Sequence, residues 1–302
     1  MAIRGLLTFD LHCDTPHNIF KKRFNHIDPK DLYYQNYLGA VFAHFVWPKA
    51  KYPFADAVRL IASTKDYIST RKKIQFIRSH GNLDKNRVNI ILGVEGGHIF
   101  DRTFKRFEAL YALGVRVFTL TWNNSNRLAH SGLDADSRGL TREGRRFLKN
   151  IEGYDVILDL SHASTRTVLN VCDACKNQVI ASHSCVRALN KKFLRNIDDR
   201  AIKAISRRGG VVGVNFSRHH LGKYSVADHI DYIADNFGID VAAIGSDFDG
   251  INDAVIKNPL GIKGLEKDLL DKGYKKSDIY KIFSRNFLRV LRSTKNCVGR
   301  LA

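Results

Sequence analysis

Leu7-Thr8-Phe9-Asp10-Leu11-His12-Cys13-Asp14-Thr15-Pro16 is a short apolar run that ends in a histidine, one intervening residue and an aspartate. In an extended strand residues i and i+2 share a face, so His12 and Asp14 present an imidazole and a carboxylate side by side. Alone, the pair is a weak signal, more often a hydrogen-bonded couple or two unrelated surface groups than a pair of ligands. Its weight comes from the later apolar runs, several of which stop on the same kinds of residue.

Working outward, the runs that read as strands are 6–12, 39–45, 88–94, 115–121, 156–160, 178–182, 210–215 and 241–245, eight in all. Amphipathic, charged stretches at 55–79, 103–113, 141–151, 164–175, 198–207 and 226–236 read as helices, several with Ser, Thr or Asp at the N-cap. Near-continuous apolar strands alternating with helices imply a parallel sheet, and eight such units imply an α/β fold of the (β/α)8 TIM-barrel type. No Pro/Ser-rich linker interrupts the chain, so residues 1–302 are expected to form a single barrel domain. The final helices, 264–272 and 276–292, are expected on its outside, and the polar stretch 15–38 forms a loop or helix over the barrel mouth.

Bulk composition narrows the class. With 302 residues and 44% hydrophobic content the chain can fill a large core. It contains no uncharged apolar stretch of about 18 residues, so no transmembrane helix is predicted. The first apolar segment is too short for a secretory leader, and a cytoplasmic location is expected. Cysteines at 13, 172, 175, 185 and 297 do not make a disulfide framework, and Cys172-x-x-Cys175 lies in a helical pattern without a partner pair. The net charge of +19 comes from basic groups spread along the whole chain. It reads as a solvated surface, with attraction of acidic substrates or polyanions as the competing reading, and no nucleic-acid partner is expected.

Barrel enzymes carry their sites at the carboxyl ends of the strands. There this sequence places His12 and Asp14, Glu95 in Gly-Val-Glu-Gly-Gly-His, His162 in Asp-Leu-Ser-His, His183 in Ser-His-Ser, and Asp247 in Gly-Ser-Asp-Phe-Asp-Gly. Imidazoles and carboxylates without thiolate suit zinc or another divalent first-row ion. The ligands are too many for one tetrahedral ion. Two ions sharing a carboxylate would use them all, and Glu95, lying between the two groups of ligands around the barrel, is the natural bridge. Glycines 93, 96 and 97 are expected to leave room for ions and substrate.

These motifs, with Arg195-Asn196 and Asn286-Phe287-Leu288-Arg289-Val290, make the chain resemble the membrane dipeptidase (M19) family of the amidohydrolase superfamily over nearly its whole length. The resemblance implies a dizinc peptidase, with Zn2+ held by His12 and Asp14 on one side, His162 and His183 on the other, and Glu95 between. A metal-bridging hydroxide would attack the peptide carbonyl of a small peptide, with L,L- and also L,D-dipeptides as substrates. Asp247 would move the proton, with Asp249 in reserve, and Arg195 would hold the free carboxylate. Trp122 stands where well-known members have a substrate-contacting histidine, and an indole cannot take up a proton. Asn123, or less readily His130, would supply the missing donor. The mammalian members' anchor and disulfide are expected to be absent, and a homodimer is compatible with the reading. Two other readings stay open: an amidohydrolase acting on a lactone or N-acyl amino acid, and a non-catalytic polyanion-binding barrel.

Overall fold

The longest strands fall on the most continuous apolar runs, Tyr37–Phe45 and Val88–Glu95, and nearly every residue in them is buried. A strand covered on both faces has no room for an alternating polar side. The computed structural model describes residues 5–134 and 138–294. In chain order its main elements are β1 (Thr8–Cys13), α1 (Thr15–Lys21), β2 (Tyr37–Phe45), α2 (Pro53–Ser69), β3 (Ile74–Phe76), β4 (Val88–Glu95), α3 (Phe104–Ala112), β5 (Val115–Thr119) and α4 (Arg142–Ile151). There follow β6 (Ile157–Asp159), α5 (Thr165–Ala174), β7 (Gln178–Ala181), α6 (Asp199–Arg207), β8 (Val211–Val214), α7 (Arg218–Leu221), α8 (Val226–Phe237), β9 (Ala242–Ile244), α9 (Ile262–Asp271), α10 (Lys276–Tyr280) and α11 (Asn286–Ser293).

Eight strands pair in parallel in the order β1-β2-β4-β5-β6-β7-β8-β9. The two ends of this sheet meet where Asp14 N donates to Phe248 O at 2.8 Å and Asp247 N to His12 O at 3.1 Å, so the barrel is nearly closed. The seam therefore brings Asp14 beside Asp247. Thr141, Ser164, Asp198 and Ser225 cap α4, α5, α6 and α8 by accepting from backbone amides of the first turn. Each such cap stabilises its helix by about 1 kcal/mol.

Two elements depart from the sequence reading. The helix expected over 55–79 ends at Ser69, and Ile74–Phe76 is the short strand β3. The reason lies in β4: β5 pairs only with Leu92–Glu95, which leaves Val88–Ile90 an open edge, and β3 fills it. The second departure is α11, which was expected outside the barrel. Its Phe287, Val290 and Leu291 instead join Phe9, Leu11, Val41, Ile91, Val117, Ile157, Ile180 and Val211 in the barrel interior. Phe287 lies 4.9 Å from Phe9 between ring centroids, and Asn286 Nδ2 donates to Ile239 O and Ala242 O at the start of β9. The stripe at i, i+3 and i+4 makes α11 the floor of the barrel. Leu265, Leu269 and Ile279 of α9 and α10 pack into the outer core layer. A π-helical turn at Lys281–Arg285, where a continuous helix was expected, redirects the chain from α10 to α11.

With the floor closed, the open end is the carboxyl rim. There the stretch after β1 folds back onto the rim, with Asp249 N donating to His26 Nδ1 and His26 N to Asp249 Oδ1.

Candidate metal centre

Every residue the sequence singled out as a ligand lies at that rim. His12 is in β1, Asp14 follows it, Glu95 ends β4, and His162 and His183 lie just past β6 and β7. All five are buried, none more than 8% exposed. Glu95 Oε1 is the hub, 2.9 Å from His162 Nε2, 3.4 Å from His183 Nε2 and 3.8 Å from His12 Nε2. Asp14 Oδ2 lies 3.5 Å from His12 Nε2. Asp247, just past β9, shares a group with His12 and His183. His162 and Asp247 hold left-handed backbone, φ 65° and 61°, a conformation that non-glycine residues rarely adopt.

Hydrogen bonds behind the cluster decide which nitrogens face it. Ser182 Oγ donates to Asp159 Oδ2 at 2.7 Å, and Asp159 also accepts from Thr119 Oγ1 and from the amides of Ser161 and Ser182. A hydroxyl has one proton. With that proton spent on Asp159, Ser182 Oγ can only accept from His183 Nδ1 at 2.8 Å and His12 Nδ1 at 3.2 Å. Both rings thus carry a proton on Nδ1 and turn Nε2 to the centre, as metal-ligating histidines do. Asp159 and Ser182, which set the orientation of these rings, are not among the residues singled out from the sequence. A signal was present: each belongs to a ligand-bearing motif, Asp-Leu-Ser-His or Ser-His-Ser.

The donor set fits a cation. Burial, with the positive charges of Arg195 and His12 nearby, holds His162 and His183 well below the usual imidazole range. Their Nε2 atoms are 2.9 Å apart, an arrangement of neutral acceptors that a shared positive charge relieves. His12 Nε2 is buried without a hydrogen-bond partner. Burial opposes charge on His12, yet the carboxylates of Glu95, Asp14 and Asp247 push it up to about 10. Burial, aided by Asp14, lifts Asp247 to about 7, and burial with Asp14 and Asp247 lifts Glu95 well above its ordinary value. Gly250 clears space, since a Cβ there would fall on Asp14 Oδ2 and Asp247 Oδ1. Glycines 93, 96 and 97, expected to serve the ions, instead face Val41, the His98 ring and Leu120 O, so they serve packing of the barrel wall.

The remaining candidates divide. Asn123, expected from the sequence to donate to substrate, instead has its Oδ1 2.7 Å from His162 Nδ1. With Nε2 turned to a cation the His162 proton sits on Nδ1, where Asn123 Oδ1 can accept it and orient the ring once the Arg195 Nε–H, which points at the same nitrogen at 2.9 Å, turns away. Asn123→Ala is expected to weaken metal binding about 10- to 100-fold; competition with a chromophoric chelator measures it, and unchanged affinity would remove this role. Arg195, 5% exposed, reaches His162 Nδ1 through Nε, Ser184 Oγ through Nη1 and His183 O through Nη2. A second N–H on each Nη stays uncommitted.

Trp122 packs against Phe45 and Trp47, at 4.8 and 5.2 Å between centroids, and forms one wall of a cavity of about 250 Å³. Asp14, Glu95, His162, His183, Arg195 and Asp247 also line it. His130 is held near Ser125 and Asp134, away from this lining. Asp249, the reserve for Asp247, accepts from Thr15 Oγ1 at 2.7 Å and fixes the rim loop. Cys172 and Cys175 are free thiols that burial pushes up to about 12 and about 11, which makes them inert packing groups.

A parallel barrel with imidazoles and carboxylates gathered at its carboxyl rim defines a barrel with a candidate metal site. The family model described as membrane dipeptidase (peptidase family M19) matches residues 3–301. The chain belongs to that family. Dipeptidase 3 of Mus musculus is 29% identical over 263 residues, 80% of this chain and 52% of the mouse protein, so the chain matches about half of that relative's length. Among solved structures, a metallopeptidase called dipeptidase AC superposes with a TM-score of 0.86 at 21% identity, over 96% of this chain and 99% of its own. A metallopeptidase from Rhodobacter sphaeroides, solved with a phosphinate mimic of the dipeptide L-Ala-D-Ala, gives 0.84 at 22% identity over the same shares. At these identities the structural likenesses establish the barrel fold. Among the described residues no helix is long and apolar enough to cross a membrane.

Proposed function

We propose that the chain is a zinc-dependent dipeptidase that hydrolyses short peptides bearing a free terminal carboxylate, L,D- as well as L,L-dipeptides, with two ions per chain. The observation that carries this reading is the meeting of His12, Asp14, His162 and His183 around one oxygen of Glu95, beside a small cavity that also holds a buried arginine. His12, Asp14 and Glu95 would hold one ion, and Glu95, His162 and His183 the other. Bound there, the ions would polarise the scissile carbonyl and acidify a water.

The chain's own residues supply the rest. Arg195 offers its uncommitted Nη protons to the substrate carboxylate, a planar two-point match. Phe45, Trp47, Trp122 and Leu133 form the apolar side of the cavity and exclude water from the reacting bond. Asn215 Nδ2 fixes Asp247 Oδ2 at 2.8 Å, leaving Oδ1 to take a proton from the attacking water and hand it to the leaving amine. A cavity of about 250 Å³ lies below the usual range for drug-sized ligands, about 300–1,000 Å³, and favours a substrate of dipeptide size.

The test is release of free amino acids from L,L- and L,D-dipeptides by protein stripped with a chelator and then reloaded with zinc. Turnover should vanish and return with the metal. Arg195→Met should raise KM about 100-fold for dipeptides with bound metal unchanged, because it removes a buried charge partner of the substrate. An unchanged KM would strip Arg195 of its role. Preference for a lactone or an N-acyl amino acid over every dipeptide would sink the reading.

A further inference from the structure

His220 belongs to the short helix α7 that follows β8, and its side chain lines the cavity. The sequence reading passed over it. Its ring packs against that of Phe193, tilted by 55° with 4.5 Å between centroids. Its backbone carbonyl accepts from Asn196 Nδ2 at 2.8 Å and from Asn190 Nδ2 at 3.1 Å. Asn190, Phe193 and Asn196 lie in the loop between β7 and α6, which also carries Arg195. Asn196 is the residue next to Arg195 and is fully buried. One rigid unit therefore holds the imidazole and the guanidinium at a fixed separation.

His220 Nδ1 is buried and has no hydrogen-bond partner among the described residues. A walled-off imidazole nitrogen is less costly to leave as a bare acceptor than as an unmatched donor. The ring proton then belongs on Nε2, the more accessible nitrogen, for which no protein acceptor is found among the described residues. Burial and the charge of Arg195 keep the ring neutral, well below the usual imidazole range. The wall thus presents one committed N–H donor together with the two spare N–H groups of Arg195, and no acceptor among the described residues answers them. Their complement is an anionic group with several lone pairs.

We propose that His220 is a second anchor of the substrate's terminal carboxylate, donating from Nε2 beside the Arg195 guanidinium. This rests on the dipeptidase reading and adds to it a specificity-determining residue. The carboxylate end is favoured over the reacting carbonyl because His220 O is held by Asn196, the residue next to Arg195, while no hydrogen bond among the described residues joins His220 to His12, Asp14, Glu95, His162 or His183.

The experiment titrates the zinc-loaded full chain calorimetrically with a phosphinate isostere of Ala-Ala, once as the free acid and once as its terminal amide. His220→Phe keeps the ring on Phe193 and removes the donor. It should weaken the free acid about tenfold, as expected for a hydrogen bond to a charged group, and leave the amide unchanged. His220→Gln, which restores a donor, should recover part of the loss. With dipeptides, His220→Phe should raise KM by a similar factor and leave kcat within about twofold. Equal weakening of acid and amide, or a fall in kcat at constant KM, would overturn the proposal. If the wild type prefers the acid, Arg195→Met abolishes that preference and His220→Phe retains it, only the assignment of His220 fails. If the wild type binds acid and amide alike, the carboxylate reading fails and takes this inference with it.

Discussion

Glu95→Gln is expected to lower turnover by about three orders of magnitude or more and to reduce bound zinc from two ions to one at most. Glu95 Oε1 stands within 3.8 Å of all three histidine Nε2 atoms, so this one oxygen faces both ligand groups. The amide keeps the volume and one carbonyl oxygen but loses the negative charge that offsets two cations, and a loss of about 4 kcal/mol in transition-state stabilisation corresponds to about 10³ in rate. The metal-free protein should behave in the opposite sense. Burial, with Asp14 and Asp247 close by, already makes charge on Glu95 unfavourable there, so the neutral amide should leave the Tm of chelated protein unchanged or raise it. Stabilisation on adding zinc, which follows the binding free energy, should shrink. Elemental analysis beside paired melting curves separates these effects. Full activity with two ions retained would contradict the shared-carboxylate arrangement, and a collapse of the chelated protein would show that Glu95 serves the fold.

Legibility followed covalent distance. His12 and Asp14 could be read because the two-residue period of a strand fixes their common face, and Glu95, His162, His183 and Asp247 because each closes or closely follows an apolar run. The eight-strand barrel came from the same alternation. What escaped depends on contacts between distant segments. Ile74-Gln75-Phe76 becomes a strand only because β5 leaves the start of β4 open, a fact of register that no local pattern contains. The apolar stripe of α11 was visible, but outside and floor bury such a stripe equally well, and only Phe9 and its neighbours decide between them. Ser182 reads as a strand end until Asp159 claims its proton and two imidazoles close on its oxygen. His220 sits in Ser217-Arg218-His219-His220, where adjacent polar residues look alike. The fold separates them by turning His219 to Asp253 and leaving His220 in the cavity.

Asp247→Asn is expected to lower kcat by about 10² to 10⁴, the usual range for loss of a positioned proton carrier, with KM for a dipeptide little changed. The substitution is nearly isosteric, and Asn215 Nδ2 can still donate to the side-chain oxygen, so the geometry at the seam should survive. The backbone amide of residue 247 keeps its bond to His12 O, which holds the left-handed turn in place whichever side chain it carries. Lost proton transfer should therefore appear in kcat, while carboxylate binding at Arg195 persists. Asp249 is the internal control, since its carboxylate is occupied by Thr15 Oγ1 and the His26 amide and secures the rim loop. Asp249→Asn should lower Tm by weakening that attachment while leaving kcat of the folded, zinc-loaded protein within a few-fold. Because Asp247 also stands near His12 and His183, metal content must be measured in both variants. A large kcat loss with two ions bound assigns Asp247 to proton transfer, and a loss that tracks missing metal assigns it to the ligand set. The reverse pattern, kcat lost in Asp249→Asn and kept in Asp247→Asn, would exchange the two roles and require the rim loop to open during turnover.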